Sequence, residues 1–331
     1  MKIKESFTAY QLMAEPDGSS RGHIIKTCID KLDEGNVLIK TAFAGVNYKD
    51  ALAGNGVAKV MKRLPCMGGI EAVGTVIDSK SNAFAVGDEV VVHGRGMGVQ
   101  HDGGFSEYVR VPAEWVIHVP ASLSMLDAAI LGVGGHTAAV AIDMMETNGL
   151  TPEKGPVAVT GAMGGVASLA IDMLAGRGYE VVAVTRRSEA APYLMSLGAN
   201  RVITTPERNN LPKPLEASQW AGAIDTTGGY VLAWLLRTMM PHGTIATCGN
   251  TAGVALETTV LPFILRGVRL LGIDGNTDIP YRKKIWDREA NDLRPRHLAE
   301  IGRLIEIEDL PDLFDRMIAG QSRGRHIVAF R

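Results

Sequence analysis

The chain has 331 residues, of which 46% are hydrophobic and 21% charged, a balance that suits a globular protein and excludes a disordered or fibrous one. That length exceeds what one core ordinarily supports, so two domains are expected. The formal net charge of −2 supplies no field for nucleic acid or an anionic membrane, and any anionic ligand must meet a local basic pocket.

The opening stretch, MKIKESFTAYQLMAEPDG, lacks the basic end, apolar run and small-residue cleavage site of a secretory signal, which predicts a cytoplasmic protein. Residues 1–125 then read as short strands between turn signals: NVLIKTAFAGV, GIEAVGTVIDS, DEVVVHG, FSEYVRVP and WVIHVP are rich in β-branched and aromatic residues. From 126 the pattern turns helical in LDAAILGVGGHTAAVAIDMMETNG. Glycines, His136 and Asp143 interrupt this longest apolar stretch, so no membrane span is expected. Apolar strands alternating with glycine turns and helices follow to 266. EVVAVT at 180–185, GAIDTTG at 222–228 and GTIATCG at 243–249 have the character of buried parallel strands. Beyond RLLGID the chain becomes polar through YRKKIWDREANDL and finishes in a strand, RGRHIVAFR, expected to return to the first domain. Cys28, Cys66 and Cys248 are scattered, which suits buried thiols and neither a disulfide framework nor a metal knuckle.

The segment VAVTGAMGGVASLAIDMLAGRGYEVVAVTRR carries the most specific chemistry. An apolar strand runs into Gly161, Gly164 and Gly165, a helix follows, and a second strand ends at Thr185, Arg186 and Arg187. Glycines allow the tight turn and close backbone approach that a pyrophosphate requires, and the helix start offers unpaired amides; Ala167 replaces the third glycine of the usual fingerprint. An NAD site places Asp or Glu at the end of the second strand, whereas this chain has no carboxylate before Glu189. Two guanidiniums there match a 2′-phosphate and predict NADPH, the other reading being a solvated basic loop.

Taken together, AGVNYKDAL at 44–52, the pattern P-x-x-x-G-x-E-x-x-G from Pro65 to Gly74, GDEVVVHGRGMG, GGFSEYVRVP, TGAMGGVAS, WAGAIDTTGG and TTVLPFILRGVRLLGID resemble the quinone-reductase side of the medium-chain dehydrogenase/reductase superfamily, in its acrylyl-CoA reductase branch. The resemblance runs nearly end to end. It implies an α/β chain with a GroES-like catalytic domain at 1–125 and 267–331 and a Rossmann NADPH-binding domain at 126–266. It also implies NADPH-dependent reduction of acrylyl-CoA to propionyl-CoA, with a quinone or general enone as the alternative substrate, and a homodimer.

The zinc alcohol dehydrogenases of this superfamily carry Cys near the position of Asn47 and Gly-His-Glu where this chain has Gly69-Ile70-Glu71, and residues 89–110 lack their four-cysteine lobe. A metal-free site is therefore expected, with His93, His101 and His136 in loop or packing roles. Tyr48 matches the family's cofactor-contacting tyrosine and is the expected hydrogen-bond donor to the substrate carbonyl, packing under the site being the other reading; Asn47 is its orienting neighbour. Lys49 and Asp50 read as an ion pair at a helix start. The resemblance assigns cofactor contacts to Tyr48, Gly161, Met163, Gly164, Gly165, Val166, Thr185, Arg186, Arg187, Thr205, Asn250, Ile264, Gly275 and Arg325. Ile264 could only pack or use its backbone there, and Arg325 could equally lie on the surface. For the phosphates of coenzyme A the candidates are Lys59, Lys62, Arg63, Arg282, Lys283 and Lys284, each with a solvated charge run as the alternative.

Overall fold

The computed structural model describes residues 4–208 and 213–330, which fall into two compact units. The first takes the chain up to Gly134, Asp278–Lys283, and everything from Ala299 onward; the second takes Gly135–Thr277 and Lys284–Leu298.

In the first unit the β-branched runs make a largely antiparallel seven-stranded sheet. Its order is Gly302–Ile305, Arg325–Ala329, Val37–Val46, Glu71–Ser79, Glu89–His93 and Val116–His118, with Tyr108–Val111 also pairing with Val37–Val46. The final strand thus returns to the first domain's sheet. Inward side chains Val37, Ile39, Val76, Val90, Val92, Val109 and Val111 form one core cluster. A smaller sheet of Ser20–Thr27, Phe7–Ala14 and Cys66–Met67, unannounced by the sequence reading, lies at a second cluster. There Phe314, from helix Leu310–Ile318, sits edge-on to Tyr10 at 5.9 Å and tilted to Phe105 at 6.4 Å. Each such ring pair adds about 0.5–1.5 kcal/mol beyond the burial of its area. Helix Tyr48–Gly54 packs on Leu310–Ile318, with Gly54 close against the Phe314 ring.

The second unit is built on six parallel strands in the order Arg201–Thr204, Val181–Thr185, Val157–Thr160, Trp220–Asp225, Met239–Thr247 and Arg269–Gly272. Numbered along this unit the order is 3-2-1-4-5-6, the doubly wound arrangement, with its switch point between Val157–Thr160 and Trp220–Asp225. Every residue of Val157–Thr160, Val181–Thr185 and Trp220–Asp225 is buried, which is why these strands are apolar up to the single polar residue at each carboxyl end, Thr160, Thr185 and Asp225, rather than alternating.

The unit boundaries differ from those expected at 125/126 and 266/267. Residues 126–134 stay with the first unit because the Ile130 carbonyl and the Val133 amide bond to Arg325 and Glu71. Arg269–Gly272 belongs to the second unit as the sixth strand of its sheet. Lys284–Leu298 joins it through Lys284 and Arg288 on Asp143 and through His297 on Asp172. Helix Met125–Thr147 is long and apolar enough to cross a membrane, but 78% of its apolar window is buried inside the protein and Gly132 breaks it at φ 44°, ψ −143°.

Candidate functional site

In the second unit, strand Val157–Thr160 ends on Gly161 at φ 60°, a left-handed position that favours glycine. A tight turn closes with the Gly164 amide donating to the Gly161 carbonyl at 2.8 Å, and helix Gly165–Gly176 begins. Gly164 caps that helix without a side chain, so the amides of its first turn face outward with no capping acceptor. A side chain on Gly161 would strike Thr226 and Thr227; the absence of one keeps the turn open. Gly164, Gly165 and Val166 are exposed or half-exposed, whereas Met163 and Ala167 are buried and pack the turn onto the sheet. The arrangement fits a pyrophosphate held by backbone amides at a positive helix end.

The next strand brings the other predicted residues together. Thr185 is buried; its hydroxyl accepts from the Arg187 amide at 3.1 Å, and its carbonyl accepts from the Thr205 amide at 2.9 Å. Arg186 is exposed and Arg187 half-buried, so two cations stand beside Thr185 and Thr205 at the strand end.

Asp225, fully buried, is a residue beside this site that sequence reasoning missed. Its Oδ1 accepts from the hydroxyls of Thr160 and Thr227 at 2.8 and 2.9 Å, and its Oδ2 from the Thr247 hydroxyl at 2.9 Å and the Gly228 amide at 3.0 Å. One carboxylate thus ties together the carboxyl ends of three central strands, beside the switch point. An Asp followed by Thr-Thr-Gly-Gly at the end of an apolar strand was the available signal.

Asn250 is exposed in the turn after the fifth strand, where the Ala252 amide reaches the Thr227 carbonyl at 2.7 Å. Ile264, on the short helix Leu261–Arg266, is 69% exposed, which rules out the core-packing alternative. Gly275 leaves space where a side chain would meet the Thr137 hydroxyl.

In the first unit, strand Val37–Val46 leads into Asn47, the cap of helix Tyr48–Gly54. The Asn47 amide donates to Asp50 Oδ2 at 2.8 Å. Asp50 is therefore a capping carboxylate buried in the fold, not the ion-pair partner of Lys49 expected at the helix start; burial pushes its pKa up to about 7. The Asn47 side chain is held at both ends, its Oδ1 by Arg325 Nη1 at 2.9 Å and its Nδ2 by Glu71 Oε1 at 3.3 Å. Arg325 is 2% exposed and also bonds the carbonyls of Val46 and Ile130 and the Glu71 carboxylate. It is a buttress in the core of this unit, neither a clasp reaching over a cofactor nor a surface residue. Tyr48 is half-buried, and its hydroxyl has no intramolecular hydrogen-bond partner among the described residues.

The coenzyme A candidates separate in the same way. Arg63 is paired with Asp33 and Asp102, Lys284 with Asp143, and Arg282 is fully buried with Nη1 on the His93 carbonyl at 2.7 Å. Lys59, Lys62 and Lys283 remain as exposed cations. His101 bonds backbone carbonyls and the His136 ring lies against Thr277 and Glu289. Among the described residues, no three His, Cys, Asp or Glu side chains gather as a metal-ligating group.

Comparison with known proteins gives two family models: the alcohol dehydrogenase GroES-like domain at residues 33–121 and the zinc-binding dehydrogenase at 165–289. Putative quinone oxidoreductase YhfP of Bacillus subtilis is 43% identical over 309 residues, covering 92% of this chain and 94% of that one. Acrylyl-CoA reductase AcuI of Ruegeria pomeroyi is 40% identical over 317 residues, covering 95% and 96%. Among solved structures, the yhdH oxidoreductase of Salmonella enterica in complex with NADP superposes with a TM-score of 0.93 at 39% identity, over 98% of this chain and 100% of that one. The Bacillus subtilis protein yhfP with NAD bound gives 0.94 at 41%, over 99% and 100%.

Proposed function

The chain belongs to the medium-chain dehydrogenase/reductase superfamily and is an oxidoreductase, and from that premise we propose that it reduces the conjugated double bond of acrylyl-CoA to give propionyl-CoA, using NADPH and no metal. The observation that carries this reading is the likeness, over nearly the full length, to a protein named as an acrylyl-CoA reductase.

NADPH, when bound, supplies the hydride that goes to the β-carbon. Gly161, Met163, Gly164, Gly165 and Val166 hold its pyrophosphate through the open turn and helix amides, and Thr185, Arg186, Arg187 and Thr205 meet its 2′-phosphate. Asn250, Ile264 and Gly275 complete the cofactor's surroundings. Asp225 keeps the strand ends that form this cradle in register.

As hydride adds to the β-carbon, negative charge collects on the thioester oxygen, and the Tyr48 hydroxyl donates its hydrogen bond there. A proton then reaches the α-carbon from a side chain or water, which completes addition of two electrons and two hydrogens across the double bond. Enolate stabilisation by a hydrogen bond needs no Lewis acid, which suits Asn47 and Ile70 at the places where zinc ligands are expected. Lys59, Lys62 and Lys283 are the exposed cations for the coenzyme A phosphates. A homodimer suits the exposed apolar side chains Val254, Val260 and Leu265 and the edge strand Arg269–Gly272.

The second reading is an NADPH:quinone or general enone reductase, favoured by the likeness to a protein named as a putative quinone oxidoreductase. Initial rates of NADPH oxidation with acrylyl-CoA, crotonyl-CoA and a quinone separate the two. Acrylyl-CoA should give the highest kcat/KM; a quinone turned over better replaces the first reading with the second.

A further inference from the structure

A helix of seven residues is too short to hold its own first turn in place, yet Tyr48 stands at the start of one. What surrounds Asn47, the residue before it, is elaborate. Glu71, 1% exposed, accepts from Asn47 Nδ2, from the Val133 amide and from Arg325 Nη2. Arg325 uses three further donors on Asn47 Oδ1 and on the Ile130 and Val46 carbonyls. The carboxylate fits only because Gly45 and Gly132 carry no side chain, since a Cβ on either would overlap it. Three distant stretches of chain, at 71, 130–133 and 325, therefore converge on the cap of this one short helix.

Burying such a pair is costly, and apolar replacements of similar volume are often neutral or stabilising, so stability alone gives no reason for it. What the pair supplies is orientation: with an acceptor on one end of the Asn47 amide and a donor on the other, the side chain has a single setting. We propose that Glu71 and Arg325 are positioning residues for turnover, holding Asn47 and through it Tyr48. The proposal rests on the reading of Tyr48 as the donor to the developing enolate. Asn47 is then also a positioning residue, because both ends of its amide are taken up within the protein.

The test is a double-mutant cycle. Glu71→Gln keeps the shape of the side chain and removes its charge. Asn47→Ser leaves the Glu71–Arg325 pair in place and cuts its link to the helix, so it carries the test if Glu71→Gln fails to fold. Each is made alone and together with Tyr48→Phe, and single-turnover NADPH oxidation by acrylyl-CoA is measured beside NADPH affinity and thermal stability. The single variants should lose about tenfold or more in rate with NADPH affinity little changed, and should lose less than about twofold once Tyr48→Phe is present, because a group acting through the hydroxyl has nothing left to position. Equal losses in both backgrounds, or none in either, overturn the proposal. If Tyr48→Phe alone leaves the rate unchanged, the reading of Tyr48 falls. A 3-fluorotyrosine placed at position 48 then decides the positioning separately: a 19F resonance that Glu71→Gln shifts or broadens supports it, and an unmoved resonance overturns it.

Discussion

Asp225→Asn removes the charge from the hub where three strand ends meet while keeping its shape. With the amide oxygen in place of Oδ1, the hydroxyls of Thr160 and Thr227 keep an acceptor, and the new NH2 group faces the Gly228 amide at 3.0 Å and the Thr247 hydroxyl at 2.9 Å. The Thr247 hydroxyl can rotate and accept. The Gly228 N–H cannot, and its remaining contact, to Oδ1, is the longer one at 3.2 Å. A weakened buried donor costs about 1–3 kcal/mol, and the bonds that remain fall from charge-assisted to neutral, each losing roughly half its strength. A total near 3 kcal/mol follows, or about a hundredfold in an equilibrium constant. Three of the four tryptophans, Trp220, Trp234 and Trp286, lie in this unit, so urea unfolding followed by their fluorescence reports its stability directly. NADPH affinity should fall alongside it, because Thr226–Gly228 and the Gly161 turn share the hub. Thr247→Val, which deletes one bond, should cost only about 1 kcal/mol. A loss below about 1 kcal/mol for Asp225→Asn, with NADPH affinity unchanged, would refute the hub.

Replacing Arg186 and Arg187 together by Ala should erase most of the preference for NADPH over NADH. Exposure of Arg186 puts each contact near the lower end, about 1.5 kcal/mol, or roughly a hundredfold for the pair; an unchanged ratio of dissociation constants sinks the assignment. Exhaustive chelation should leave turnover intact and elemental analysis should find no stoichiometric zinc, whereas a metal whose removal stops turnover overturns that part of the reading. Asp50 ionises near 3.8 when unfolded but is pushed up to about 7 by burial in the fold, so the native state holds the extra proton between those values and stability falls as pH rises from about 4 to about 7. Asp50→Asn should lack that fall, measured as urea midpoints at pH 5 and pH 8, and parallel curves contradict it. His326, held down to about 4 by burial and nearby arginines, acts with the opposite sign, losing stability as pH falls below 6.5, so the comparison with the variant is needed to isolate Asp50. Gly132→Ala adds a Cβ against the Glu71 carboxylate at a backbone of φ 44°, and should cost about 3 kcal/mol or more in thermal stability; a near-neutral result means the corner around Glu71 is looser than described.

Local chemistry is what the sequence by itself determined. Gly161, Gly164 and Gly165 between an apolar strand and a helix need only the covalent chain to form an open turn and a helix start without a side-chain cap, and Thr185 with two arginines follows at the next strand's end. Buried parallel strands such as VAVT and VVAVT announce themselves because both faces must be apolar. The hairpin of Phe7–Ala14 and Ser20–Thr27 stayed illegible, since its second strand buries only Ser20 and carries no clear apolar alternation. Only the tertiary structure decided the rest. Arg325 reads as a cofactor contact or a surface arginine until Glu71, Asn47, Val46 and Ile130 close around it, and Asp225 reads as one more residue of an apolar strand until three strand ends meet on its oxygens. The domain boundary at Gly134 rather than residue 125 has the same origin, because the bonds from Ile130 and Val133 go to residues 195 and 62 positions away. Periodicity and propensity are properties of neighbours in sequence, whereas the worth of a buried charge depends on which distant donors reach it, and the fold alone brings those together.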